Sequence, residues 1–295
     1  MTARTLPPDT QSRLAALKFE ARRAVESALA GLHASPHHGA SIEFTEHKEY
    51  VPGDDIRRID WRVYGKIDKY YIKRFEKETS LKALFLVDSS GSMEYRSHAL
   101  SKLDYASRLA LGLAFLLLNQ GDGAGLTIRS GQSVRHLPPA FHRAQFDLMA
   151  EALAAAEGEG ESPVGNWMEA LTERGTQANL VAVVSDFFTD EARVLDSLKR
   201  ISSRRREILF FHILDPNELT FPFSNRTRFI DMETPRDLTL EPLSIRAGYL
   251  EEMRAFIERL RDGCHTFGAD YLLCDTSVPL ERTLSDFIGR RSAGG

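Results

Sequence analysis

The feature that most constrains this chain is an apolar run that stops abruptly at a carboxylate and a cluster of hydroxyls: Leu81-Lys82-Ala83-Leu84-Phe85-Leu86-Val87-Asp88-Ser89-Ser90-Gly91-Ser92-Met93. A short, continuous apolar run bounded by polar residues suits a central parallel strand, because such a strand is covered by helices on both faces. In open α/β sheets, ligands bind beyond the carboxyl ends of these strands. Asp88, Ser90 and Ser92 alternate along the segment, so three hard oxygen donors project the same way, and Gly91 allows a tight backbone path. Magnesium is the ion this donor chemistry suits best.

Asn179-Leu180-Val181-Ala182-Val183-Val184-Ser185-Asp186 repeats the pattern. If the two strands are adjacent and parallel, their ends lie about 5 Å apart and both carboxylates face one crevice. Two such carboxylates repel each other, and a cation relieves the repulsion.

From residue 82 onward, apolar strands alternate with amphipathic helices, which predicts an α/β fold with a doubly wound, mostly parallel, Rossmann-like sheet. A helix is expected from about Leu100 to Asn119, then a strand over Ala124–Arg129, an edge strand over Val134–Leu137 and a helix over His142–Ala156. Glu157-Gly158-Glu159-Gly160-Glu161 reads as a flexible break, and Ser162-Pro163 as a serine N-cap with proline at the first helical position. A helix from Glu191 to about Ser203 closes on Arg204-Arg205-Arg206, which suits its negative end. A strand over Glu207–Leu214, a hairpin or extended insertion over 226–240, a helix over 245–262, a strand over 270–275 and a helix over 280–290 complete the domain. Gly121, Gly123 and Gly125 follow a helix and precede a strand, so they are not the phosphate-binding glycines of a dinucleotide fold.

This domain is expected over residues 81–291, with residues 1–80 as an extension. The extension holds an amphipathic helix over 10–33 and a strand near Lys69–Glu76. The helix carries Arg13, Lys18, Arg22 and Arg23, so packing on the main domain and peripheral association with a membrane or partner are both open to it. His33, His37 and His38 crowd one loop, but no carboxylate or cysteine at ligand spacing completes a metal set. Glu49-Tyr50-Val51-Pro52-Gly53-Asp54-Asp55-Ile56-Arg57-Arg58-Ile59-Asp60-Trp61 joins a Pro-Gly turn to dense acids, arginines and aromatics. One reading is internal pairing of Asp54 and Asp55 with Arg57 or Arg58. The other is a partner-binding surface anchored by Trp61.

Composition narrows the function classes. The 295 residues, 42% of them hydrophobic, suffice for a sizeable core, and 38 Lys and Arg against 42 Asp and Glu give no global attraction to nucleic acid. Cys264 and Cys274 suggest neither a disulfide framework nor a zinc site. No apolar segment follows the charge near Met1, so no secretory signal is expected and the cytoplasm is the expected compartment. The longest greasy stretch, Leu109 to Leu118, is half of the roughly 20 residues a membrane span requires.

Asp88-Ser89-Ser90-Gly91-Ser92 resembles the Asp-x-Ser-x-Ser element of von Willebrand factor A domains, whose metal-ion-dependent adhesion site holds a divalent cation. In that family a threonine before a helix adds a ligand, and Asp186 matches a further strand-end aspartate. The stretch equivalent to the threonine resembles Gly160-Glu161-Ser162-Pro163-Val164-Gly165, which makes Ser162 the substitute. Thr176 competes, although it precedes the strand ending at Asp186 and so falls at the opposite end of the sheet. Thr172 falls within a helix.

The Glu49–Trp61 segment resembles the hallmark of the domain-of-unknown-function 58 family, bacterial proteins with a von Willebrand factor A-like domain. Gly65-Lys66 departs from the Ala-Arg often found after the tryptophan. The resemblance implies a partnership with a MoxR-type AAA+ ATPase, as an adaptor or co-chaperone in the maturation of a client protein. The expected function is therefore divalent-metal-dependent protein binding, without catalysis, with Mg2+ or Mn2+ held by Asp88, Ser90, Ser92, Ser162 and Asp186. The alternative is a magnesium-dependent phosphatase-like hydrolase with Asp88 as nucleophile. Phosphatases of the haloacid dehalogenase type place a general acid two residues further on, where this chain has Ser90, a poor proton donor.

Overall fold

The structure, a computed structural model, describes residues 8–33, 47–49, 71–73, 81–130, 133–174, 176–202, 206–233 and 237–293. The strands are β1 (His47–Glu49), β2 (Tyr71–Lys73), β3 (Lys82–Val87), β4 (Gly123–Ser130), β5 (Ser133–Ala140), β6 (Leu180–Ser185), β7 (Glu207–Leu214), β8 (Thr227–Ile230), β9 (Asp237–Leu240) and β10 (Asp270–Asp275). The helices are α1 (Pro8–His33), α2 (Lys102–Asn119), α3 (Ala144–Ala154), α4 (Val164–Arg174), α5 (Glu191–Ser202), α6 (Pro216–Thr220), α7 (Pro242–Thr266) and α8 (Leu280–Ala293).

Six strands form the central sheet in the order β10-β7-β6-β3-β4-β5. All neighbours run parallel except β5, an antiparallel edge strand. The expected doubly wound α/β fold is therefore the observed one. β3 is buried on both faces, which is why its sequence is a continuous apolar run rather than an alternating one. Ala83, Phe85 and Val87 join a core with α1, α2, α3 and α8, while Leu84 and Leu86 join a second core with α4, α5 and α7. β6 divides in the same way: Leu180, Ala182 and Val184 go to the first core, Val181 and Val183 to the second.

The N-terminal helix belongs to this body. Leu17, Ala21, Ala24, Val25 and Ala28 are buried in the first core, and Lys18 pairs with Asp147 of α3 at 2.7 Å. Residues 35–80 form a separate compact unit, in which β1 pairs antiparallel with β2. The division expected at residue 80 thus places α1 wrongly, because its alanine-rich face lets it approach α2 closely. A Cβ at Gly112 of α2 would lie only 3.4 Å from Val25 Cγ2. Most of the Glu49–Trp61 segment lies outside the described residues, including Asp54, Asp55, Arg57 and Trp61. So do the side chains of His33, His37 and His38.

Several local expectations change. The helix expected to start at Ser162-Pro163 begins at Val164, and the Ser162 hydroxyl donates to Asp88 instead of capping it. The helix expected over 245–262 runs from Pro242 to Thr266, with proline in its first turn. The 226–240 insertion is a two-stranded antiparallel hairpin, β8–β9. The short helix α6 follows a capping box, Asp215-Pro216-Asn217-Glu218.

Candidate metal centre

β3 and β6 are adjacent and parallel, so Asp88 and Asp186 emerge side by side at their carboxyl ends, and Asp88 N donates to Val184 O at 2.9 Å. Both side chains are fully buried. Asp88 Oδ1 accepts from Ser90 N at 2.9 Å, and Oδ2 accepts from the Ser162 and Ser185 hydroxyls, each at 2.6 Å. Burial pushes the Asp88 carboxyl above the usual carboxylate range, and the nearby Asp186 adds to it. The hydrogen bonds from Ser162, Ser185 and Ser90 pull the other way without cancelling the rise.

The Gly158–Glu161 loop is fixed on the motif rather than hanging between helices. Gly91 N donates to Gly160 O at 2.8 Å, Glu159 N to Ser89 O at 3.1 Å, and Gly158 N to Glu94 Oε1 at 2.7 Å. Arg129 of β4 braces the same junction, donating to the Ser89 and Glu159 carbonyls while Ser89 Oγ donates to Arg129 O. These bonds deliver Ser162 to Asp88. Thr176 is engaged elsewhere, its Oγ1 accepting from Ala178 N, and Thr172 donates within α4.

Asp186 is the charge-paired member. Lys102, in the first turn of α2, donates from Nζ to Asp186 Oδ2 at 2.7 Å and to Glu218 Oε1 at 2.6 Å. Burial works against the Lys102 ammonium, but Asp186 and Glu218 outweigh it and hold its pKa above the ordinary value. Glu218 is raised by burial despite Lys102. Its Oε2 accepts from Asp215 N at the end of β7, and Asp215 in turn accepts from Ser97 N and Oγ. Asp186 Oδ1 accepts from Phe188 N at 3.1 Å.

The donors fit a small, hard cation. Two neighbouring ligands of an octahedral magnesium ion, each about 2.05 Å from it, are about 2.9 Å apart. Ser90 Oγ and Ser92 Oγ are separated by 3.1 Å, which matches such an edge. Among the described residues, no three His, Cys, Asp or Glu side chains are grouped to hold an ion by themselves. Asp88, Ser90, Ser92, Ser162 and Asp186 would hold such an ion directly or through water, which magnesium, reluctant to dehydrate, readily retains.

Lys102, Ser185 and Glu218 carried no signal as part of a metal motif. The Asp215-x-x-Glu218 capping pattern after an apolar strand was readable and would have placed Glu218 near the same sheet end.

A doubly wound sheet with an Asp-x-Ser-x-Ser turn at a central strand end, beside a second strand-end aspartate, defines a von Willebrand factor A-like domain. More particularly, residues 46–258 match the family described as protein of unknown function DUF58, and the chain belongs to that family. Uncharacterized proteins of Mycobacterium bovis and Mycobacterium tuberculosis are each 24% identical over 297 residues, covering 97% of this chain and 91% of theirs. Among solved structures, the conserved hypothetical protein BatB from Bacteroides thetaiotaomicron is similar at 15% identity and TM-score 0.44, over 73% of this chain and 100% of its own. The SpRpn10 VWA domain is similar at 13% identity and TM-score 0.41, over 71% and 95%. No helix among the described residues is long and apolar enough to cross a membrane.

Proposed function

We propose that this chain is a divalent-metal-dependent protein-binding module, acting in the cytoplasm as an adaptor or co-chaperone of a MoxR-type AAA+ ATPase in the maturation of a client protein. The observation that carries the metal reading is the convergence on one sheet end of Asp88, the Ser90–Ser92 hydroxyl pair, Ser162 and Asp186. When bound, Mg2+ or Mn2+ would supply a Lewis-acidic contact for a partner's carboxylate. Asp88, Ser90 and Ser92 hold that position, Ser162 and Ser185 orient Asp88, and Lys102 fixes Asp186. The ATPase and client roles rest on the resemblance carried by the Glu49–Trp61 segment.

The test is affinity capture from the native cell, with and without chelator, using wild type and Asp88→Ala. Recovery of an AAA+ ATPase that is lost on chelation and in the variant supports the proposal. Metal-insensitive capture by both proteins moves the interface elsewhere, such as the segment around Trp61. Phosphatase turnover that needs Asp88 would replace the binding reading with the hydrolase.

A further inference from the structure

The first turns of α2 line a cavity that the metal reading leaves unused. Asp104, Ser107 and Arg108 stand at i, i+3 and i+4, so one face of the helix presents all three. With Arg13 of α1 they edge a cavity of about 300 Å³, at the small end of the range for ligand pockets. Leu17, Leu100 and Leu153 form its apolar wall. Arg13 ties the rim together, donating to Ala156 O at 3.5 Å and lying 3.6 Å from Asp104.

Two polar groups of this cavity are left without a partner. Ser107 is 4% exposed, and its hydroxyl makes no hydrogen bond among the described residues. Arg108 is half-buried, and no carboxylate among the described residues pairs with it. Asp104, one helical turn before Arg108, goes to Arg13 instead. Arg108 also borders a second cavity, between α1 and α8, but the charges there are balanced, with Arg23 2.9 Å from Glu20 and 3.5 Å from Glu281. The first cavity thus sets two guanidiniums against one carboxylate, an excess of one positive charge beside an apolar wall. Donors removed from water without an acceptor are destabilising, so this pair calls for an acceptor from outside.

We infer that this cavity is a binding site for a carboxylate carried on a short apolar chain. The Arg108 fork and the Ser107 hydroxyl both donate, and a carboxylate accepts from both at once. One negative charge matches the excess, and the chain lies along Leu17, Leu100 and Leu153, where burial of its apolar surface drives binding. The C-terminal residue of a peptide and a free aliphatic acid share this chemistry. The site stands apart from the metal reading, since none of its residues is among the ligands assigned to the ion.

The test is an NMR titration of the full chain in chelator, so that no metal takes part, with N-acetyl-leucine, N-acetyl-leucinamide and isocaproate as probes. N-acetyl-leucine should shift amides of α1 and α2 saturably, with a Kd on the order of 1 mM, while the amide, which lacks the carboxylate, should not. Isocaproate as tight as N-acetyl-leucine supports the site and makes its ligand a free acid; markedly weaker isocaproate supports it and makes the ligand a peptide C-terminus. Arg108→Gln should weaken binding about tenfold and Ser107→Ala about fivefold, with Arg108→Lys, which loses the fork, in between. Without added acid, Ser107→Ala should melt no lower than wild type, because its hydroxyl has no partner to lose. No saturable shift, equal binding of acid and amide, tighter binding of inorganic phosphate, or an Arg108→Gln protein that binds as wild type does would each overturn the proposal. So would a clear drop in the Tm of Ser107→Ala, by showing that the hydroxyl is used within the fold. Each of these results leaves the metal reading standing.

Discussion

Lys102 donates to Asp186 across 2.7 Å with both side chains fully buried, so the site contains its own fixed positive charge beside the candidate cation position. Asp186 and Glu218 share this one ammonium, and Asp88 lies near enough to Asp186 for the two carboxyls to repel. Lys102 offsets part of the repulsion and leaves an excess of negative charge that a divalent ion would neutralise.

Lys102→Met tests that balance. Removing one partner of a buried ion pair leaves uncompensated charge and costs about 3–5 kcal/mol. Chemical denaturation in chelator should show a loss of this size. Magnesium should then stabilise the variant more than it stabilises wild type, because the freed Asp186 and Glu218 strengthen cation binding. A variant as stable as wild type would mean that Lys102 does not compensate these acids.

Metal linkage gives a second prediction. A ligand at 100 times its Kd stabilises the folded state by about 2.7 kcal/mol, or roughly 5–10 °C in Tm for a domain of this size. Magnesium or manganese should raise the Tm of wild type by this order, and Asp88→Ala should abolish the rise. Thermal melts across a metal titration read this directly.

The strands and the two aspartates were legible because β3 and β6 are buried on both faces, and continuous burial writes a continuous apolar run into the sequence. Other parts were not, for separate reasons. Ser162-Pro163 matches the chemistry of a helix start, and nothing local says that the hydroxyl turns instead to Asp88, 74 residues away. Lys102 reads as one more charge in a first helical turn, since its burial depends on Glu218 arriving from beyond β7. The Met232 backbone lies against Gly91 only because Gly91 has no side chain, a contact between segments far apart in sequence.

Ser162 provides a third prediction, separating hydroxyl chemistry from packing. Ser162→Thr retains the hydroxyl and should retain the metal response. Ser162→Ala removes a donor to a buried carboxylate, which costs about 1–3 kcal/mol and should weaken magnesium binding. The metal-dependent Tm shift, compared across the two variants, measures it. A shift unchanged in Ser162→Ala would place Ser162 outside the site's working set.

The last prediction concerns acid. His212 of β7 is fully buried among Phe187, Phe256 and Tyr271, its Nδ1 lies 2.6 Å from the Tyr271 hydroxyl, and its Nε2 has no hydrogen-bond partner among the described residues. Burial pushes its pKa down from 6.5 to about 3. Between these values the unfolded chain carries a proton on this histidine and the folded chain does not, so stability rises with pH across the window. Stability is complete above about pH 6.5 and falls below it, by up to about 1.4 kcal/mol per pH unit, until the folded-state pKa is reached. Asp88, Glu218 and Glu233, with raised pKa values, act in the opposite sense at the acid end. The contribution of His212 is therefore read as a difference: His212→Phe should lose less stability than wild type on going from pH 6.5 to pH 4.5. Parallel stability curves for the two proteins over that interval would show that His212 is not held neutral in the fold.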